Sequence, residues 1–172
     1  NMWCLWNLGL LAEPLMGSFG VLAVYLLPGA AGNLLSTLVN WYRFSGTSGF
    51  PVCAGASGAV FGLAGALIIL LKSQRLPVPT LELHKLRRSV IYFAAINLVI
   101  GFSISFTASL TGIDIDNMAH LGGVSCGLIF AMPMVPRLGS PRSDFESRLR
   151  LAVGLVVGML ILFAFFIVKV AA

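Results

Sequence analysis

Charge is the scarcest thing in this chain: only 10% of its 172 residues are Asp, Glu, Lys or Arg, against roughly one quarter in an average soluble domain. With 58% hydrophobic residues and a mean hydropathy of +0.97, that shortage excludes a soluble globular protein and leaves no room for a separate soluble domain. Cysteine is scarce too. Cys4, Cys53 and Cys126 show no CxxC or metal-ligand spacing and sit in apolar surroundings, so they read as packing residues. No stretch alternates apolar and polar residues at period two, which leaves helices as the way to satisfy the backbone in lipid. Nothing resembling a signal peptide precedes the first apolar stretch, and no spacing calls for a cofactor or metal.

What is present is glycine, 19 residues of it, together with long uncharged apolar runs. Small residues let helices approach closely in lipid. The expected fold is therefore all-α, a polytopic transmembrane helix bundle. A partial span covers residues 1–12, too few to cross a bilayer that needs about 20, so the sequence begins inside a helix. Full spans follow near 17–39, 57–71, 89–110, 118–135 and 151–171, with the first turn at Glu13-Pro14 and an interface anchor at Trp41, Tyr42 and Arg43.

The net charge of +5 reads as topology rather than as nucleic-acid binding. Lys72, Arg75, Lys85, Arg87 and Arg88 fill one connection, and Arg137, Arg142, Arg148 and Arg150 fill another. Both should be cytoplasmic. The connection between them, 107–117, carries Asp114 and Asp116 and no basic residue, as expected of the opposite face. Lys169, near the outer end of the last span, should snorkel to the interface.

Two of the polar residues inside these spans, Ser57 and His120, each open a glycine-rich apolar run. Ser57, in Gly55-Ala56-Ser57-Gly58, lies about 22 Å from the cytoplasmic boundary when helical rise is counted from Lys72; His120, in Ala119-His120-Leu121-Gly122-Gly123, lies about 25 Å from it when counted from Arg137. They share one depth near the outer face. Gly58, Gly62 and Ala66 form a small-residue stripe on one helix, and Ala119, Gly123 and Gly127 form another. If those stripes meet, Ser57 and His120 stand together at the outer end of the seam; otherwise each stripe packs on a different helix.

A serine hydroxyl becomes a nucleophile when a base takes its proton, and neutral imidazole is the usual base near pH 7. Ser57 and His120 are thus candidate nucleophile and base. The structural alternatives are a serine bonded back to its own helix and a histidine in proton or metal transport. Asp114 and Asp116 read as soluble loop residues rather than a third catalytic member. The Ser57 backbone N–H, at a helix start, is a candidate oxyanion donor. Asn1 is a second, unless its amide only bridges helices. Gly55 and Gly58 would admit a substrate backbone, and Phe61, one turn after Ser57, would pack on an imidazole or fill the core. His84 reads as a solvated loop residue.

On these residues the chain resembles the rhomboid intramembrane serine proteases. The likeness extends over most of 1–135, through Asn1-Met2 and the aromatic-rich helix after it, Glu13, and Tyr25 to Asn33 with Gly29 and Gly32. It implies a six-helix core with Ser57 as nucleophile, His120 as base and Asn1 matching the family's oxyanion asparagine. Gly123 belongs to the same glycine-bearing motif as His120. The partial span then corresponds to the family's second helix, so that the first helix, and a histidine four residues before the asparagine, would precede Asn1. The implied organisation is a protease core over 1–135, a cytoplasmic basic loop over 136–150 and an additional C-terminal helix over 151–172. The family's lateral gate lies on its fifth helix, where Phe93, Phe102 and Phe106 are candidates and Phe102 is preferred.

The expected function is intramembrane endopeptidase, with transmembrane protein substrates, the lipid bilayer as partner, no nucleic acid and no cofactor. A bacterial inner membrane and a eukaryotic organelle membrane both fit. The alternatives are an inactive relative that binds transmembrane clients, and a small channel or transporter. A channel or transporter would need intramembrane charges or inverted repeats, and neither occurs.

Overall fold

The computed structural model describes residues 1–44, 55–72, 79–106, 115–137 and 141–171. Its elements are α1 (Met2–Phe44), α2 (Ser57–Leu70), α3 (Thr80–Phe106), α4 (Asn117–Ala131), a 3-10 turn (Met132–Arg137) and α5 (Arg142–Ala171). The all-helical class expected from the absence of period-two alternation is what is found.

α1 is two helical segments meeting at Gly17, whose φ of 71° and ψ of 166° break the helical path. The break falls after Glu13-Pro14, the turn expected from sequence. Pro14 forfeits a single backbone donor and is absorbed near the end of the first segment. The turn itself needs a backbone conformation open essentially only to glycine. Across it the Ser18 hydroxyl donates to Glu13 Oε1 at 2.6 Å.

α2 is apolar on every side, and its residues from Gly58 to Leu67 are all buried. A helix of that composition belongs at the centre of a bundle. At a rise of about 1.5 Å per residue it is about 21 Å long, shorter than a hydrocarbon layer of about 30 Å. Its last turn is held by Arg87, whose Nε donates to the Ile68 carbonyl at 3.0 Å. That cation also complements the negative end of the helix dipole.

The two small-residue stripes do meet. A Cβ built on Gly123 would fall on the Gly58 carbonyl oxygen, and one on Gly127 would fall on that of Gly62. The pairing rises in both chains, so α2 and α4 run parallel with Ser57 and Asn117 at the same end. The second segment of α1 closes the group antiparallel: Gly29 faces Ala59, Pro28 faces Gly62, and Gly32 lies against the Ala119 carbonyl and Gly122. Three helices thus touch through backbone, an approach that only small residues permit.

α3 and α5 begin earlier than their apolar runs. Residues 80–88 and 142–150, expected as connections, are helical, so much of the stretch 136–150 is helix rather than loop. Charge pairs support those turns, Lys85 with Glu82 at 2.9 Å and Arg150 with Glu146 at 3.8 Å, while Leu83 and Leu149 are buried beneath them. Apolar runs mark only the part of a helix that lies in lipid; backbone hydrogen bonding continues past it. Met2–Arg43, Thr80–Phe106 and Ser143–Lys169 are long and apolar enough to cross a membrane. They expose Trp3, Trp6, Phe102, Leu162 and Phe165 outward, as lipid-facing surfaces do.

Candidate active site

Ser57 is the first residue of α2 and is half-buried. Ala56 before it offers no side-chain cap, and the first intrahelical bond runs from Val60 N–H to the Ala56 carbonyl at 3.1 Å. The N–H groups of Ser57, Gly58 and Ala59 therefore have no helical acceptor and point out of the positive end of the helix dipole. Such an end suits a developing oxyanion. Gly55, in front of it, is exposed, whereas Gly58 and Gly123 are buried in the seam. Asn1 is exposed just ahead of α1, where its carbonyl accepts from Leu5 N–H at 2.8 Å.

His120 lies in the first turn of α4, next to Ala119, whose carbonyl contacts Gly58 and Gly32. The seam therefore holds the residue after Ser57 against the residue before His120. The imidazole is buried and stacked on Phe61, with ring centroids 4.3 Å apart and planes inclined by 18°. Phe61 in turn meets Phe93 of α3 at 6.2 Å. Of the three gate candidates it is thus Phe93 that adjoins the site, while Phe102 and Phe106 are exposed.

The start of α4 is fixed by a polar group that reading the sequence treated as loop. Asp116 is its N-cap: Oδ1 accepts from Ala119 N–H at 2.9 Å, and Oδ2 accepts from the buried Ser36 hydroxyl of α1 at 2.5 Å. Asn40 donates to Ser36 at 3.3 Å. Asn117 is buried beside it, its amide donating to Ser105 Oγ at 2.9 Å and to the Ile115 carbonyl at 3.1 Å. An Asp immediately ahead of a helix is a recognised capping signal, so Asp116 was discoverable once the helix start was known. Asp114 and Cys53 lie outside the described residues.

Among the described residues no three His, Cys, Asp or Glu side chains gather as a metal site would require. A cavity of about 710 Å³ lies away from Ser57 and His120, between the Gly17 turn and the start of α5, where Glu13, Ser18, Phe145 and Arg150 line it.

The parallel glycine seam, the short central helix and the membrane-spanning helices around it define a polytopic integral membrane protein with a serine and a histidine on adjoining helix starts. The model of the Rhomboid domain matches residues 1–137, and the chain belongs to the rhomboid family. It is 32% identical over 157 residues to rhomboid protease GluP of Bacillus subtilis, covering 91% of this chain and 26% of that protein. It is 32% identical over 139 residues to RHOMBOID-like protein 1 of Arabidopsis thaliana, covering 80% of this chain and 30% of that one. Inactive rhomboid protein 1 of Rattus norvegicus is 28% identical over 166 residues, 91% of this chain and 17% of its own length. The chain thus spans less than a third of each of these relatives. No solved structure matches it significantly.

Proposed function

We propose that this chain is an intramembrane serine endopeptidase that cuts transmembrane segments of membrane proteins through Ser57 and His120. The observation that carries the reading is the backbone contact of Gly58 with Ala119, which brings the neighbours of a serine and an imidazole into register at the same end of two parallel helices. In this reading His120 takes the proton of the Ser57 hydroxyl as its oxygen attacks the scissile carbonyl. The oxyanion is met by the Ser57 N–H, with the Asn1 amide as second donor, and His120 then returns its proton to the leaving amine. The short α2 leaves its reactive end below the membrane surface, so a substrate helix must unwind there before its peptide bond is open to attack. Helix-breaking residues at the cleavage point should favour that. Gly55, Gly58, Phe61 and Gly123 support the site by leaving room or by packing on the ring. The basic connections fit a bacterial inner membrane or a eukaryotic organelle membrane.

The test is covalent labelling of the membrane-reconstituted protein with a fluorophosphonate. Labelling that disappears in Ser57→Ala and His120→Ala is expected; labelling that persists in Ser57→Ala refutes the reading. The similarity to inactive rhomboid protein 1 favours a second reading, a non-catalytic protein that binds transmembrane clients. That reading predicts client binding with no labelling of Ser57.

A further inference from the structure

Two buried polar atoms near the start of α4 have no hydrogen-bond partner among the described residues: Asn117 Oδ1 and His120 Nδ1. Their side chains are deeply buried, Asn117 at 5% exposure and His120 at 6%. At three residues' separation on one helix they share a face, one turn apart. Buried polar groups in native proteins are seldom left unmet by protein or water.

The amide orientation of Asn117 is fixed by its surroundings. Its nitrogen donates to the Ile115 carbonyl, which can only accept, and to Ser105 Oγ, which itself donates to that same carbonyl at 3.0 Å. The remaining atom, Oδ1, is therefore an acceptor. It lies against Gly101 of α3, where any Cβ would collide with it. An acceptor one turn from an unpartnered imidazole nitrogen calls for a bridge that donates to one and accepts from the other.

We propose that a water molecule held between Asn117 Oδ1 and His120 Nδ1–H does the work of the acidic third member of a catalytic triad, so that Asn117 is a positioning residue for His120. The water donates one hydrogen to the amide oxygen and accepts the Nδ1 proton. The tautomer this selects leaves the lone pair on Nε2, the form a base for Ser57 needs, because the bond made by one ring nitrogen decides the protonation of the other. A neutral amide achieves this without adding a second carboxylate to that of Asp116 at the start of α4. The inference rests on the reading of Ser57 and His120 as nucleophile and base.

The experiment pairs fluorophosphonate labelling rates with 15N NMR of histidine-labelled protein in micelles, His120 being assigned against His84 by a His120→Gln sample. In the wild type, the proton is expected on Nδ1. Asn117→Ala should lower the labelling rate roughly tenfold or more, as loss of a group orienting a catalytic or metal-binding imidazole does. Asn117→Asp separates positioning from structure, since it keeps the acceptor and loses both amide donors. It should recover labelling relative to Asn117→Ala. A proton found on Nε2 in the wild type overturns the inference even if Asn117→Ala does not fold. So does a folded Asn117→Ala that labels at the wild-type rate, or an Asn117→Asp that loses as much as Asn117→Ala. A wild type that takes no probe at Ser57 ends the catalytic reading instead, and the NMR result still decides this one.

Discussion

The imidazole of His120 lies nearly parallel to the ring of Phe61, centroids 4.3 Å apart, although the two come from different helices. Phe61 stands one turn after Ser57 on α2, so the helix that carries the serine also supplies the surface on which the imidazole rests. Its other neighbour, Phe93, belongs to α3. Ring orientation in the site is thus set jointly by three helices.

Phe61→Leu keeps an apolar side chain and removes the ring face. A stacked pair contributes about 0.5–1.5 kcal/mol beyond its burial, so the fluorophosphonate labelling rate should fall several-fold. Phe61→Tyr, which keeps the ring, should stay near the wild type. Equal rates for Phe61→Leu and wild type would show that the stack does not orient His120.

Two pairs of glycines should behave oppositely. Gly123→Ala and Gly127→Ala each drive a methyl into a facing carbonyl oxygen, and overpacking of that kind costs about 1–3 kcal/mol or more. Gly154 and Gly158 on α5 have open space where a Cβ would go, so alanine there should leave stability unchanged or raise it by up to about 1 kcal/mol, glycine being the poorer helix former. Thermal unfolding in detergent of the four single variants reads the difference directly.

That division was only half legible beforehand. Four-residue spacing marked Gly58, Gly62, Gly123 and Gly127 as close-packing positions and left open whether the two stripes pack on each other. Spacing cannot say which face finds a partner, and Gly154 and Gly158 have the same spacing with none. The third member of the seam, Pro28 with Gly29 and Gly32, was visible only through family likeness, since a proline inside a helix reads locally as a defect. Helix ends were legible least, because charged turns at 80–88 and 142–150 look like loop when hydropathy alone is followed. Ser57 and His120 stood out because each sits in a short glycine-bearing motif that opens an apolar span, and a histidine is rare in such a span. Asp116 and Asn117 did not, because their roles depend on where α4 begins.

Asp116 should matter to stability more than a loop aspartate would. Asp116→Ala removes the N-cap of α4, a loss of about 0.5–2 kcal/mol, and also the acceptor for Ser36, where a bond to a charged group is worth about 1.5–3 kcal/mol. Ser36→Ala leaves the cap in place and removes the second interaction, together with the longer bond from Asn40 at 3.3 Å. A double-mutant cycle by thermal or denaturant unfolding should give a coupling energy of about 1 kcal/mol or more between positions 36 and 116. Additive effects would mean that the 2.5 Å hydrogen bond joining α1 to α4 contributes nothing measurable.

Gly17 carries the sharpest backbone requirement among the described residues, being the one with positive φ. Space is not the obstacle, since nothing lies within 4 Å of a Cβ built there; the cost of a side chain is conformational, about 1–3 kcal/mol at this φ and ψ. Gly17→Ala should therefore lower the unfolding midpoint, and because the strain comes from chirality, a D-alanine placed there by semisynthesis should restore it. Pro14→Ala, which returns a backbone donor to the first segment, should leave the midpoint unchanged or raise it. The opposite ranking, with Pro14→Ala harmful and Gly17→Ala neutral, would assign the turn to Glu13-Pro14 as the sequence first suggests. Because Gly17 sits at the end of the bundle away from Ser57, labelling of the folded Gly17→Ala protein should proceed at the wild-type rate, separating loss of stability from loss of chemistry.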